Sequence, residues 1–145
     1  MEIKILEYKD IPQLALLYKY FWNEESNIQK MEKMFEKLRN NDSYIFLCAV
    51  ENDKLIGSVM GIICNELYGN CDPFLLVENM IIDINYRGKG IGKKLFTELE
   101  KLAKEKKCSQ IILVTESNRS DACGFYESLG FDSTKNKGYK KRYKL

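Results

Sequence analysis

The sequence predicts a mixed α/β sheet protein folded as one domain over residues 1–145. Three observations carry that reading. Short apolar, β-branched runs recur between Ile3 and Val114. Segments with apolar residues at helical spacing lie between those runs. Val77 to Leu95 passes from a strand through a glycine turn straight into a helix, and another apolar strand, Ser109 to Thr115, follows. Strand, helix and strand in that order make a right-handed parallel crossover, whereas the earlier strands pair as a hairpin.

Each element has its own signal. Glu2 to Tyr8 alternates, with Ile3, Ile5 and Leu6 facing inward, and reads as a first strand. Asp10 suits an N-cap and Pro12 a first turn. Ile11, Leu14, Leu17, Tyr18 and Phe21 then recur at helical spacing to Trp22. The polar stretch Asn23 to Asn27 breaks that helix. A second helix follows, with Ile28, Met31, Phe35 and Leu38 on one face. Ser43 to Glu51 and Leu55 to Cys64 are strands joined by a polar turn, hence a hairpin. Phe74 to Ile84 is the central strand. Ile91, Leu95, Leu99, Leu102 and Ala103 mark the buried face of a helix running to Lys107. Lys94–Glu98, Glu100–Lys104 and Lys101–Glu105 are i,i+4 pairs on its wet side. A short helix covers Asp121 to Leu129, with Gly130 as its stop. Tyr139 and Tyr143 suggest one or two terminal strands in the tail from Asp132.

Composition narrows the function. A chain of 145 residues is long enough for a sizeable core. A net charge of +2 is too small to argue for nucleic acid. No apolar run is long enough to span a membrane, and Met1-Glu2-Ile3-Lys4 lacks the form of a signal peptide. The five cysteines (Cys48, Cys64, Cys71, Cys108 and Cys123) form no C-x-x-C pair, which points to reduced thiols and a cytoplasmic location. The chain has no histidine. That removes Ser-His-Asp and Cys-His catalysis and any histidine base, and no metal site is expected.

The turn after the central strand reads Arg87-Gly88-Lys89-Gly90-Ile91-Gly92-Lys93-Lys94. Glycines there let backbone N–H groups converge, and the helix start adds about half a positive charge, so the segment suits a phosphate. The dinucleotide fingerprint fails, because it needs glycine where Lys93 stands. The P-loop fails at Arg87 and Lys94. What remains is R-x-x-G-x-G. That stretch resembles the pyrophosphate loop of the GCN5-related N-acetyltransferase (GNAT) family. A second match lies at Ala122-Cys123-Gly124-Phe125-Tyr126-Glu127-Ser128-Leu129-Gly130-Phe131, similar to that family's A-x-x-F-Y-E-x-x-G-F segment. The two matches occur in the family's order, one helix and one strand apart.

The resemblance implies one N-acetyltransferase domain. Its sheet would be mixed and mostly antiparallel, with a central pair of parallel strands that splay, flanked by about four helices. It implies acetyl-CoA as co-substrate and direct transfer of acetyl to a primary amine in a ternary complex. The N–H groups of Gly88, Lys89, Gly90, Ile91, Gly92 and Lys93, behind Arg87, would hold the pyrophosphate. Met80, Ile81 and Ile82 would run beside the pantetheine arm, one N–H polarising the thioester carbonyl. Tyr126 matches the family's general acid; a phenol pKa of about 10 lets it protonate the thiolate. Asn118 is a further cofactor contact, although its spacing to Tyr126 is one residue longer than in some relatives.

An ammonium must lose a proton before it attacks, and Glu78 is the candidate base: strand alternation sets it with Leu76, Met80 and Ile82, where partial burial would suit the role. A wet-face Glu78 paired to a lysine is the competing reading. Asp83 and Glu116 read as solvated. Acceptor selection would fall to Tyr18, Phe21, Trp22, Glu24 and Glu25, with Tyr68, Asp72 and Tyr139. Acid and aromatic residues together suit a cationic amine, small molecule or peptide. Many members of that family are dimers, so a homodimer stays open. The alternative function is a catalytically idle, CoA-binding regulatory domain on the same fold.

Overall fold

Five strands form one sheet in chain order: β1 (Glu2–Ile5), β2 (Tyr44–Glu51), β3 (Lys54–Cys64), β4 (Phe74–Ile82) and β5 (Ile111–Leu113). The computed structural model describes residues 1–145. β1 to β4 pair antiparallel, and β5 runs parallel to β4. Four helices complete the fold: α1 (Ile11–Trp22), α2 (Ile28–Leu38), α3 (Ile91–Glu105) and α4 (Ser120–Ser128). The chain divides into two compact units, Met1–Ile112 and Leu113–Leu145.

In the first unit the sheet carries helices on both faces. Cross-strand partners share a face, so the pairs Cys48–Ser58 and Ser58–Ile81 mark one side. There Leu6, Ile11, Leu14, Leu17, Phe35, Cys48, Leu55 and Ile81 form a single cluster with α1 and α2. The other side belongs to α3. A Cβ at Gly57 would lie 2.7 Å from Ile82 Cδ1 and 3.2 Å from Leu95 Cδ1, and one at Gly61 would lie 2.9 Å from Leu99 Cδ1. Two bare positions four apart on β3 therefore let α3 seat its leucines on the sheet. Leu95, Phe96 and Leu99 are fully buried there. Phe96 is a core residue that the heptad-like spacing misses, because the apolar stripe of α3 is wide; Leu102, expected in the core, is only half-buried.

Several local expectations change. Ile5 faces solvent and Leu6 is buried instead. Lys4 turns toward Asp10: its Nζ donates to Asp10 Oδ2 at 2.8 Å and to Glu7 Oε1 at 2.8 Å. Asp10 accordingly does not cap α1. Its Oδ2 accepts from the Glu7 N–H at 2.9 Å and closes a short 3-10 turn, Tyr8–Asp10. α1 ends at Asn23, whose φ of 53° is left-handed, a conformation asparagine tolerates. Asn27 caps α2 by accepting from the Lys30 N–H at 3.0 Å. On α3, Lys101 pairs with Glu98 at 3.1 Å, not with Glu105.

β5 is three residues long against nine in β4. It joins β4 at its start, where Ser109 N–H donates to Pro73 O at 2.8 Å and Leu75 N–H to Gln110 O at 3.0 Å. So short a strand can ladder with only the first part of β4. The second half of that edge, from about Glu78, has no β5 partner, as splayed strands require. The parallel pair also lies at the sheet's edge, because the expected tail strands do not form. Residues 132–145 are exposed throughout and carry no strand. Tyr139 and Tyr143, with cations all around them, offer no continuous apolar face to bury.

Within the second unit, α4 ends in a turn at Gly130, φ 93°. The Phe131 N–H returns to Tyr126 O at 3.2 Å.

Candidate active site

β4, the glycine turn and α3 form one continuous piece of the first unit. Asp83 leaves β4 as an N-cap, accepting from the Asn85 N–H at 2.9 Å. A 3-10 turn, Ile84–Tyr86, follows and leads to Arg87. Gly88 and Gly90 then adopt φ of 74° and 78°, and Gly90 is the N-cap of α3 with no side-chain cap. Left-handed backbone at both positions explains the glycines. The first N–H groups of α3 have no carbonyl of their own helix to meet. No atom lies within 4 Å of where a Cβ would sit at Gly88 or Gly90. The turn is thus an open cradle of backbone amides at a helix N-terminus, which fits a pyrophosphate. Lys89 and Lys93 are both exposed beside it, while Ile91 anchors the turn in the core.

The cations of this region are held by aromatic rings. The Arg87 guanidinium lies 5.3 Å from the Phe21 ring centre, and its Nε donates to Ile82 O at 3.3 Å. Lys89 and Lys54 lie over Tyr86, at 4.9 and 5.1 Å. Arg87 thereby ties the turn to α1. Asp83 is not the solvated carboxylate expected. Lys54 Nζ sits 2.7 Å from its Oδ2, and that hydrogen bond, with the Asn85 N–H, holds the Asp83 carboxyl below the ordinary range against the opposing effect of burial. A cavity of about 580 Å³ opens between α1 and the end of β4, lined by Leu17, Phe21, Lys54, Ile82, Asp83 and Arg87 among others.

β4 is not a regular strand. Met60 faces Glu78 and Ser58 faces Ile81, so the single residue Val59 lies opposite both Asn79 and Met80. Asn79 has φ 53°. This is a β-bulge in the middle of the strand. It shifts the alternation on which the Glu78 assignment rested. Glu78 shares the α1–α2 face with Ile81, not with Ile82, and it is exposed. The burial expected of it is not found. Met80 and Ile82 are half-buried and Ile81 is buried. Sequence reading missed Asn79. Its signal was a polar, left-handed-tolerant residue inside an otherwise apolar run. Burial pushes the phenol of Tyr18, on α1, up to about 12. Tyr18 also packs against Trp22, with ring centres 5.2 Å apart.

Other acceptor candidates on the first unit are exposed. Glu25 is paired with Lys19 at 2.5 Å, and Glu24, Tyr68 and Asp72 lie on the surface.

In the second unit, Tyr126 is half-buried on α4. Its ring lies between Phe125, at 5.3 Å, and Phe131, at 6.0 Å in an edge-on arrangement. Phe125 and Phe131, expected in the core, are themselves only half-buried. Asn118 is exposed in the turn before α4. Glu116 is exposed and lies 3.9 Å from Arg142. Cys123 is half-buried, its thiol 3.9 Å from Glu116 O. Tyr139 is exposed.

A strand interrupted by a bulge leads through an amide cradle into a buried helix, and comparison with known proteins places that arrangement in a family. The profile of the Acetyltransferase (GNAT) family matches residues 11–131. The chain belongs to that family, and acetyl transfer is the activity membership supports. An acetyltransferase of Yersinia pestis strain Pestoides F is 27% identical over 138 residues, covering 92% of this chain and 89% of that one. Among solved structures, glucosamine-6-phosphate N-acetyltransferase from Arabidopsis thaliana superposes with a TM-score of 0.85 at 23% identity, covering 99% and 97% of the two chains. A transcriptional regulator from Bacillus halodurans C-125 superposes with a TM-score of 0.83 at 22% identity, covering 98% and 99%. These two show the fold alone. No helix is long and apolar enough to cross a membrane.

Proposed function

We propose that the protein transfers acetyl from acetyl-CoA to a primary amine. The observation that carries this reading is the glycine cradle: two left-handed glycines opening an uncapped α3, directly after β4. Bound acetyl-CoA supplies the activated acyl group. Amides from Gly88 to Lys93 hold its pyrophosphate, and the backbone of Met80, Ile81 and Ile82 flanks its pantetheine arm and donates to the carbonyl oxygen. Glu78 takes the proton released by the amine, directly or through water, since it stands at the surface of the α1–α2 face. Tyr126 delivers a proton to the departing thiolate. Asn118 is a supporting contact. The acceptor approaches from the aromatic side of α1, where Tyr18, Phe21 and Trp22 lie. The reading includes a cytoplasmic location and one catalytic domain.

Calorimetric titration with acetyl-CoA tests the cradle. Micromolar binding is expected for the parent protein and none for Gly90→Glu. A side chain there meets open space but a left-handed backbone, so the fold loses only about 1–2 kcal/mol. An unaltered affinity in Gly90→Glu would remove the cradle from the site. Tight binding with no thiol release over a broad amine panel would favour the idle regulatory domain instead.

A further inference from the structure

We propose that residues 133–145 are an arm that docks single-stranded nucleic acid, with lysines on its phosphates and Tyr139 and Tyr143 stacked on its bases. The inference goes beyond acetyl transfer and does not rest on it. The small net charge of the whole chain conceals a split. Residues 133–145 hold six cations, Lys135, Lys137, Lys140, Lys141, Arg142 and Lys144, and no acid. Residues 1–132 hold the other 17 cations against all 21 acids. A basic segment on an acidic body marks that segment, and not the surface at large, as the place for a polyanion.

The segment has a fixed root and an open length. At the root, Ser133 Oγ donates to Glu127 Oε1 at 3.2 Å and the Thr134 N–H to Asp132 Oδ1 at 2.7 Å. Further on, a Cβ at Gly138 would lie 3.6 Å from Val114 Cγ2, and Arg142 lies 3.9 Å from Glu116. Those contacts keep the segment beside Val114 and Glu116, within the second unit. Lys135 is paired with Asp132 and Arg142 with Glu116. Lys137, Lys140 and Lys144 are exposed and make no ion pair. Tyr139 is 90% exposed and Tyr143 74%. Open rings among unpaired cations are the two parts that single-strand binding needs: charge that tracks the backbone and faces on which bases stack. Residues four apart share a face of an extended chain, about 13 Å from each other, so both rings can take a base of one strand. An anionic bilayer would meet the same lysines, yet the segment has no continuous apolar face to enter it.

Fluorescence anisotropy of the full chain with labelled 12-nucleotide oligo(U) and oligo(dT) is the test. The parent should bind with a Kd of about 1–100 µM near physiological salt. Contacts to about four to six phosphates should make binding about 50- to 300-fold weaker at 200 mM salt than at 50 mM. Lys137→Glu, Lys140→Glu and Lys144→Glu together should weaken binding at least about 100-fold. Tyr139→Ala with Tyr143→Ala should weaken it at least about tenfold and keep the salt dependence. Both variants should melt with the parent, since every replaced side chain is exposed. Gly90→Glu should bind as the parent does; a loss there would put the strand on the glycine cradle and overturn the arm. No binding by the parent, or full binding by the lysine variant, would overturn it too. Unchanged affinity in the tyrosine variant, or a 12-residue poly-glutamate bound as tightly as oligo(U), would leave a bare polyanion patch and reject nucleic acid. Capture on phosphatidylserine vesicles where both oligonucleotides fail would assign the segment to a membrane and overturn the proposal. Tighter binding of one oligonucleotide would support it and identify RNA or DNA as the partner.

Discussion

The two units of the chain place their candidate site residues in different kinds of structure. Every fully buried residue lies in the first, Met1–Ile112, and none lies in Leu113–Leu145. The glycine turn lies between a strand and a helix that carry the fully enclosed Leu75, Leu95 and Leu99. Tyr126 stands on a short helix packed by the edges of two half-exposed rings. A cradle for a charged group needs its amides fixed in direction, and a deep core fixes them. The proton donor proposed at Tyr126 needs reach, and a thinly packed helix permits small adjustment. Local opening should therefore be far easier in the second unit than in the first.

The strongest way to break that contrast is to empty the first core. Leu95→Ala should cost about 3–5 kcal/mol by urea unfolding. Phe131→Ala, in the second unit, should cost less than half as much, since it gives up less buried area. Equal losses would abolish the distinction. Gly57→Val should cost about 1–3 kcal/mol, because its branch would meet Ile82, Leu95 and the Ile81 carbonyl. A neutral outcome would mean that α3 can shift off the sheet.

A smaller effect separates the core by pH. Burial pushes the Cys48 thiol from 9.0 up to about 12. Its folded pKa is raised, so the stability it contributes is complete below pH 9 and falls as pH climbs from about 9 toward 12. Cys48→Ala should flatten the pH dependence of urea stability across that window, and an unchanged slope would assign it to other groups. The smallest effect on stability belongs to Tyr126→Phe, within about 0.5 kcal/mol. In an acetylation assay the same change should lower the maximal rate about 100-fold with CoA affinity retained. A rate equal to the parent's would take Tyr126 out of the proton path.

How much was legible beforehand varies by kind of feature. Helix and strand positions follow from local periodicity, and α1, α2, β2, β3 and β4 sit where the apolar spacing puts them. The glycine turn was legible too, because a left-handed φ leaves few residue choices and three glycines beside cations point to one purpose. The tail misled, since tyrosines with strand propensity were credited with a face that the lysines between them deny.

By itself the sequence determined the order of the helices and strands as far as α4, the glycine turn at Gly88–Lys93 and the family. Those rest on backbone rules that act within a few residues. Only the tertiary structure decided the bulge at Asn79, the face Glu78 occupies and the capture of Arg87 by Phe21. Each depends on register between strands or on a helix laid across them. A one-residue slip there turns every following side chain over, and no local spacing records it.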